Sequence, residues 1–564
     1  MNSRCLLLGL AALGCAAAQD SPPALRQLAH DYYAWRAREF PVSASDQGLH
    51  TADDKLTDYS SAAIAARRRH VHELLQRVRA MKTDGWAKDD RIDRILFQAQ
   101  LEAPDFEARV LRSTETNPLI YVEECSNAVF SLLKKDYDTH RRRALSAEAR
   151  LRAMPAMLDT GMKNLSAPVR LYAQLAIESA RGMDPLFTDS LMTLADQLTP
   201  AERDSLVAAR DTALKSIHAY ADALQARLAA MPDWRPMGEE NYEYMLHHVY
   251  LLPLNATQMD MLGKAELARY RGLEALLPNP DMANPNPARS SHVPANQQEF
   301  LAAYQSRLDE ILRFLREQNL ITIPDYVGQF YIRQLPEAFK PTSPGGFMNP
   351  PGVYDSDNSG FYFIPTYNPH SGNFYIRAAI EEPRPILGHE GIPGHFLQIS
   401  IANHLKDEIR RHNDDGVFIE GWALYTEEML LRRGFYPAGS AAEGQILRLS
   451  RYRAARVGVD VNLHTGRWTF EQAVKYFMDA GGLDKEAATG EAAGAAVTPG
   501  QKMCYITGKF QILNLLGRYR DHAGAAFTIK GFHDALLANG SLPVSVQEWL
   551  LLDDPSDVEK ALAQ

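Results

Sequence analysis

Apolar residues recur at three- and four-residue spacing through most of the first half of the chain. From about Leu25 to Leu277 this periodicity gives one apolar and one polar face, as in amphipathic helices. The clearest stretches are Arg67–Met81, Pro200–Met231 and Leu254–Leu277. Thr199, Pro200 and Glu202 form a typical helix start, with a Thr cap and a proline in the first turn. The pattern therefore predicts an almost wholly helical first half.

The stretch 278–294 is rich in proline and asparagine, which is typical of a surface linker. The pattern of apolar and polar residues changes after it. A pair of helices is predicted within Gln297–Gln318, and beyond Leu320 aromatic and aliphatic residues alternate between turn signals. This alternation predicts a small sheet, with strands at Ile321–Pro324, Phe330–Arg333, Phe361–Ile364 and Asn373–Arg377.

The helical pattern resumes after Glu382 and continues to the end, except at Ala487–Val497, an Ala/Gly-rich stretch that we interpret as a flexible loop. The predicted fold class is mainly α, with one small β-sheet. A chain of 564 residues exceeds the usual size of a single core. This favours two helical lobes, about 25–277 and 297–564, although no clean boundary separates them.

Composition narrows the function class. Apolar residues make up 46% of the chain and charged residues 23%, which is ordinary globular usage. The formal net charge is −10, whereas a nucleic-acid binder needs a positive field to replace phosphate counterions. Nucleic acid is therefore not expected as a partner.

The first 18 residues are predicted to be an export signal, with Arg4 before a short apolar stretch. Two processing sites compete. Ala16–Ala18 fits cleavage to a soluble periplasmic protein, whereas Leu13-Gly14-Cys15 resembles a lipoprotein box with Cys15 as the lipid anchor. Ala12 stands where that box usually has Leu, which favours the soluble form. No other run is apolar enough to span a bilayer, so no transmembrane helix is expected.

Cysteine usage is sparse in the exported part, 19–564. Only Cys125 and Cys504 remain there, too few for a disulfide framework or a cysteine-based zinc site. The sequence leaves open whether these two residues pair.

The candidate chemistry begins at Gly388-His389-Glu390 and reaches His395. In H-E-x-x-H metallopeptidases the two histidines stand one helical turn apart on one face, and the Glu lies beside a metal-bound water. Here the second His is six residues on, and six residues rotate an ideal helix by about 240° past full turns. Pro393 disrupts a helix and Gly394 permits unusual backbone angles. We therefore predict a break at 392–394 that brings the two imidazoles together. The alternative is that they are unrelated buried polar groups without a metal.

A second motif, Glu420-Gly421-Trp422-Ala423, follows 25 residues after His395. It resembles the helix that carries the third ligand in glutamate-zincins of the aminopeptidase N type. The resemblance implies Glu420 as that ligand. Glu427 shares its helix face, and Glu428 is interpreted as a solvent-exposed charge.

The two motifs together resemble the bacterial "domain of unknown function 885" family. Asp460-x-x-x-His464 and Pro499-Gly500-Gln501-x-x-x-Tyr505 add to the likeness, which covers most of the exported chain. The resemblance implies a zincin-like, neurolysin-like helical architecture with the small sheet preceding the metal-binding helix. The family's description implies no substrate.

These residues are assigned the following roles. His389, His395 and Glu420 are predicted to bind one Zn²⁺ per chain, and Glu390 to act as general base. Glutamate-zincins commonly take an oxyanion donor from a later helix, and this implies Tyr505 first and His464 second. Each could instead be structural: Glu390 a carboxylate that orients a His, Tyr505 a core residue, and His464 the partner of Asp460.

The predicted function is that of an exported zinc-dependent peptidase acting on peptide substrates. The alternative is a zinc- or ligand-binding cell-envelope protein that does not hydrolyse. Arg453 and Arg456 are interpreted as solvated helix-surface residues and are left out of the site. The oligomeric state is not predicted.

Overall fold

The structure of the chain is a computed structural model, which describes residues 20–290, 293–335 and 346–564. The predicted signal segment, 1–18, with the Cys15 anchor, lies outside these residues. The helices before the sheet are α1 Pro22–Glu39, α2 Pro41–Asp46, α3 Ser61–Arg79, α4 Lys88–Phe106, α5 Ser113–Thr116, α6 Leu119–Leu133, α7 His140–Asn164, α8 Arg170–Arg181, α9 Pro200–Arg227, α10 Glu239–Tyr244, α11 Ala256–Ala275 and α12 Gln297–Glu317.

Three strands follow: β1 Phe330–Gln334, β2 Phe347–Asn349 and β3 Gly360–Ile364. The helices beyond them are α13 Phe374–Glu381, α14 Arg384–Glu390, α15 His395–Asn403, α16 Glu408–Arg411, α17 Gly416–Arg432, α18 Ala441–His464, α19 Phe470–Tyr476, α20 Lys485–Val497, α21 Cys504–Ala523, α22 Ile529–Leu537, α23 Val544–Leu552 and α24 Ser556–Leu562. Short 3₁₀ or π turns extend or separate several of these helices: Glu107–Leu111, Leu186–Ser190, Leu191–Gln197, Leu228–Ala230, Met245–Val249, Pro280–Ala283, Pro287–Arg289, Phe477–Gly481 and Gly524–Ala526.

The mainly helical prediction is confirmed, and so are its clearest helices. The three periodic stretches correspond to α3, α9 and α11. The helix pair predicted at 297–318 is one continuous helix, α12. Thr199 and Glu202 form the expected capping box: the Thr199 hydroxyl accepts from the Glu202 backbone N–H, and the Glu202 carboxylate accepts from the Thr199 N–H. The linker 278–294 contains only two short 3₁₀ turns among its described residues.

The sheet has the order β1-β3-β2, with β1 parallel and β2 antiparallel to β3. Phe330 and Ile332 alternate inward on β1, and Tyr362 and Ile364 do so on β3, so that one face enters a core shared with Phe396. The sheet therefore lies against the segment that carries the candidate ligands. The predicted strands at 330 and 361 are confirmed.

Two predicted strands are wrong. Ile321–Pro324 forms no strand, and 374–377 is the first turn of α13. Asn373 caps that helix, because its Oδ1 accepts from the backbone N–H of Tyr375 at 2.9 Å and of Ile376 at 3.3 Å. The capping of this helix by Asn373 thus decided the secondary structure, although aromatic and aliphatic residues alternate here as in a strand.

The predicted loop at 487–497 is also wrong, since this stretch is α20. Asp484 caps the helix by accepting from Ala487 N at 2.9 Å. Alanine is the best helix former, and Ala488, Ala492 and Ala496 bury one face of α20 against neighbouring helices. The small side chains are a close-packed face.

The cores do not follow the lobe boundary suggested by the sequence. One core contains residues from Val42 to Met231 and belongs to the first half of the chain. However, Met259 and Leu267 of α11 share a core with Val457 and Val461 of α18, across the linker.

Cys125 and Cys504 lie in these two different cores as free, buried thiols. Among the described residues, no helix combines the length and the apolar character that a membrane span requires.

Candidate metal centre

The backbone breaks where the sequence predicted. Helix α14 ends at Glu390, α15 begins at His395, and the bend between them contains a cis peptide bond before Pro393. Gly394 approaches the preceding turn so closely that a Cβ there would lie 1.9 Å from the His389 carbonyl oxygen. Only glycine fits at this position. The break brings the two imidazoles together despite the six-residue spacing, with ring centroids 4.7 Å apart and ring planes at 85°.

Three side chains converge beside this break. His395 Nε2 lies 3.4 Å and His389 Nε2 lies 3.9 Å from Glu420 Oε2, and one ligand atom from each residue fits within 4.8 Å of the others. Zinc bonds near 2.0–2.2 Å place tetrahedral ligand atoms about 3.3–3.5 Å apart, so small side-chain shifts would close this set on an ion. The predicted convergence is confirmed; the identity of an ion there stays a prediction.

The donor set fits a metal better than it fits a hydrogen-bonded polar core. His395 Nδ1 and Glu420 Oε2 are buried without a hydrogen-bond partner among the described residues. Buried polar atoms are usually paired, and a missing partner points to a water or an ion. Two imidazoles and one carboxylate leaving an open position match catalytic zinc sites.

Each residue of the second motif, Glu420-Gly421-Trp422, has a structural role that explains its residue type. Glu420 supplies the carboxylate, while Gly421 lets α17 touch α21, since a Cβ there would lie 2.4 Å from the Gly508 backbone. The Trp422 indole donates from Nε1 to the Pro393 carbonyl at 2.9 Å. Helix α17 is therefore anchored to the bend that places His395.

A buried carboxylate orients His389. The His389 Nδ1–H donates to Glu427 Oε1 at 2.7 Å, which leaves Nε2 facing Glu420. Arg453 Nη1 donates to the same Glu427 oxygen at 3.2 Å. Burial raises the pKa of Glu427, but the charge of Arg453 and the hydrogen bond from His389 lower this pKa by a larger amount. The pKa of Glu427 is therefore below its usual value. Metal-binding histidines characteristically have such a carboxylate partner.

The electrostatics of the cluster favour an anionic Glu420. Burial alone would raise the pKa of this carboxyl, but the close contact and charge of His395, with His389 and Tyr505, lower it to about 2. Burial lowers the pKa of His395, but Glu420 outweighs it, so the net shift is upward. Both shifts favour the charged forms of His395 and Glu420.

Glu390 ends α14 directly after His389. Its side chain is half-buried, and among the described residues its carboxylate has no hydrogen-bond or ion-pair partner. Its negative charge contributes to raising the pKa of His395. A carboxylate that is free of other partners is available to a water or a substrate.

Tyr505 also reaches the cluster, from the first turn of α21. Its hydroxyl lies close enough to Glu420 to help lower the pKa of that carboxyl, and it accepts from Gln501 Nε2 at 3.1 Å. Burial, with the charge of Glu420, raises the pKa of Tyr505 well above its usual value, so its hydroxyl keeps its proton.

The structure does not bring His464 to the cluster. Its Nε2 lies 2.8 Å from the Ala495 carbonyl oxygen, and its ring stacks on Tyr242 with centroids 6.0 Å apart. It lies at the end of α18, about 16 Å of helix beyond Arg453. Asp460, one turn earlier, accepts from the backbone N–H groups of Gly500 and Lys502. The Asp460–His464 motif therefore fixes the loop before Tyr505.

Three charged residues were misjudged from the sequence. Glu428 is 7% exposed rather than solvated, and Arg453 and Arg456 are only 7% and 8% exposed. Helix α18 is buried on every side over most of its length, which no two-faced pattern reveals. An available signal was the run Val457–Leu463, in which Asp460 is the single charge, typical of a central helix.

Comparison with known proteins gives a family and a fold. The model of the family described as "Bacterial protein of unknown function (DUF885)" matches residues 41–550. No curated protein matches the chain.

Two solved structures share the fold. A protein from Shewanella oneidensis, described as a "putative lipoprotein of unknown function", aligns with a TM-score of 0.73 at 21% identity, covering 94% of this chain and 99% of its own. A "putative lipoprotein" from Colwellia psychrerythraea aligns with a TM-score of 0.77 at 20% identity, covering 96% of this chain and 100% of its own.

Proposed function

Since the chain belongs to the bacterial DUF885 family of proteins of unknown function, its activity has to be argued from the site, and we propose that it is an exported zinc-dependent metallopeptidase. One observation carries this proposal: His389, His395 and Glu420 converge at the end of the helix that carries Glu390, and this carboxylate has no hydrogen-bond or ion-pair partner in the part of the chain that the structure describes. This is the donor set of a catalytic zinc site with a general base beside it.

Each residue has a separate task in this mechanism. A bound zinc ion would supply Lewis acidity and lower the pKa of a water molecule. Glu390 accepts the proton of the attacking water and then donates it to the leaving amine. The Tyr505 hydroxyl donates a hydrogen bond to the carbonyl oxygen as it becomes negative. Glu427 keeps the Nδ1–H of His389 engaged, so that Nε2 stays available as a ligand.

The first test is metal content. Purified protein should contain about one zinc per chain by elemental mass spectrometry, as expected for a single three-ligand site. His389→Ala and His395→Ala should lose it. His404→Ala is the matched control, because this exposed histidine follows the same α15. Full zinc occupancy in both ligand variants would refute the assignment.

The second test is hydrolysis of a broad peptide library, followed by mass spectrometry. Cleavage should stop on addition of a chelator and return when zinc is restored. A protein that holds zinc but cleaves no peptide would support the alternative, a zinc- or ligand-binding envelope protein.

We propose that the protein works in the cell envelope. The predicted signal at 1–18 supports export, and both structural relatives are described as a "putative lipoprotein". The competing processing sites are tested by membrane fractionation of the wild type and Cys15→Ala. Release of the variant alone would establish a lipid anchor, whereas a soluble wild type would establish cleavage at 16–18.

A further inference from the structure

Two buried arginines stand next to the candidate oxyanion donor. Arg453 and Arg456 are three residues apart on α18, so they project from the same side of the helix. Their guanidinium carbons lie 5.4 Å and 5.1 Å from the centroid of the Tyr505 ring. The Tyr505 ring is thus flanked by two cations.

Both arginines keep unused donors. Arg453 makes one hydrogen bond, to Glu427, and Arg456 uses Nε and Nη2 on Glu491 and Tyr452. A guanidinium carries five N–H donors in a planar fork. Among the described residues, no acceptor is found for the remaining N–H groups of Arg453 or for Nη1 of Arg456.

Neither arginine has a carboxylate to itself. Glu491 is shared between Arg456 and Lys502, whose Nζ lies 3.4 Å away. Glu427, the partner of Arg453, is also committed to His389. Hydrogen bonds from a guanidinium to an anionic acceptor are the stronger ones. An anionic group bound here would therefore engage the unused donors of both arginines.

The free end of a peptide would lie close to the bond that is cleaved. One residue of extended chain spans about 3.3–3.6 Å, and a charge-assisted N–H···O contact adds about 2.7–2.9 Å. A carboxylate one residue beyond the scissile carbonyl would therefore meet donors about 6–7 Å from that carbonyl. The two arginines flank the ring of Tyr505, whose hydroxyl is the proposed donor to the carbonyl oxygen.

We propose that Arg453 and Arg456 bind the free α-carboxylate of the residue that follows the scissile bond, so that the protein removes single residues from peptide C-termini. This inference rests on the proposed function. The reaction remains hydrolysis: the water oxygen bonds to the carbonyl carbon, the C–N bond breaks, and the leaving amine takes a proton. The subsite selects which bond is presented.

The experiment compares three mixtures of tripeptides on the zinc-loaded protein. One mixture has free C-terminal carboxylates and the second is C-terminally amidated. The third is amidated and ends in Asp or Glu, which separates an α-carboxylate from a side-chain carboxylate. We expect kcat/KM to be about ten- to a hundredfold higher for the free acids, the size of a charged hydrogen-bonded contact.

The variants Arg453→Met and Arg456→Met should each reduce this acid-to-amide ratio, and Arg453→Lys should restore it only in part, since Lys lacks the fork. Arg451→Met is the matched control: this arginine lies on the same helix but pairs with Glu274 and the Ala480 carbonyl. Its ratio should equal that of the wild type.

Several outcomes would overturn the subsite. Equal rates for acid and amide would do so, and so would a preference confined to the Asp- and Glu-terminated amides. If Arg453→Met lowers both rates equally and keeps the ratio, Arg453 acts only through Glu427. If no mixture is hydrolysed, the proposed function fails, and calorimetric titration with the first two mixtures still decides the inference. Tighter binding of the free acids supports it, and equal or absent binding refutes it.

Discussion

Helix α17 carries two buried charged clusters that differ in completeness. Around Glu428, Oε1 accepts from Arg269 at 2.9 Å, and Oε2 accepts from Tyr270 at 2.9 Å and from Lys509 at 3.0 Å. Lys509 also donates to Tyr270. Burial raises the pKa of Glu428, but Lys509 and Arg269 lower it to about 2. Both oxygens of this carboxylate are occupied.

Around Glu420, eight residues earlier, the cluster is unfinished. His395 Nδ1, Glu420 Oε2 and Glu427 Oε2 are buried without hydrogen-bond partners among the described residues. The same helix thus holds one network that is satisfied by protein alone and one that is not. Because unpaired buried polar atoms are costly, the first cluster is expected to stabilise the fold and the second to hold a ligand.

The largest effect on activity is expected from replacing Glu390, the proposed general base beside the Glu420 cluster. Glu390→Gln keeps size and hydrogen bonding but cannot accept a proton. Peptide hydrolysis should fall by about 10²–10⁴, as is typical for a lost general base. Zinc should be retained in an elemental assay of the same sample. Loss of zinc would instead make Glu390 a ligand.

Replacing Glu428 or Glu420 by glutamine should have opposite effects on stability and on zinc content. Glu428→Gln leaves Lys509 buried without its counter-charge, which should cost about 3–5 kcal/mol of unfolding free energy, with zinc stoichiometry unchanged. Glu420→Gln should lose zinc but cost less stability in the zinc-free protein. Urea unfolding and elemental analysis of both variants check this. Equal destabilisation would show that the two clusters play the same structural part.

The two clusters also show which features of the site could be predicted from the sequence. His389, Glu390 and His395 could be identified because the residues of an H-E-x-x-H-like motif are close in sequence. Pro393 and Gly394, in the same segment, predicted the break in the helix. Glu420 followed from a second short motif. Local sequence was sufficient wherever neighbouring residues determine the geometry.

The remaining features depended on distant partners. Glu428 was interpreted as solvent-exposed because its partners, Tyr270 and Lys509, stand on α11 and α21. Arg453 likewise depends on Glu427 of another helix. His464 shares a face with Asp460, as predicted, but that face meets the loop at 500–502 rather than the ligands. Pairing across helices is not encoded in periodicity.

An intermediate effect is expected at Tyr505. Tyr505→Phe removes one hydroxyl beside Glu420 and should reduce kcat by about 10²–10³, the effect of one oxyanion donor, with zinc retained. Tyr425→Phe is the matched control, since its hydroxyl contacts His533 in the core instead. If the two variants retain similar activity, Tyr505 is a core residue and no donor.

The smallest effect concerns the cap of α17, and it depends on pH. Asp415 Oδ2 accepts from Phe418 N at 2.7 Å, and burial, with the neighbouring Asp414, raises the pKa of Asp415 from 3.8 to about 7. The folded state then binds a proton that the unfolded chain releases near pH 4. The stability contributed by this proton is present below about pH 4 and is lost as the pH rises through 7.

Asp415→Asn keeps the cap oxygen but has no charge, so its stability should stay flat where that of the wild type declines. A shift of this size corresponds to at most about 4 kcal/mol. We expect a gain on the order of 2 kcal/mol at pH 8 and little gain at pH 4, where the folded state and much of the unfolded state hold the proton. Urea unfolding of the zinc-free protein across this range measures it. Asp484→Asn, at the exposed cap of α20, is the control and should show no comparable trend. Parallel curves for Asp415→Asn and the wild type would show that Asp415 is already ionised in the fold.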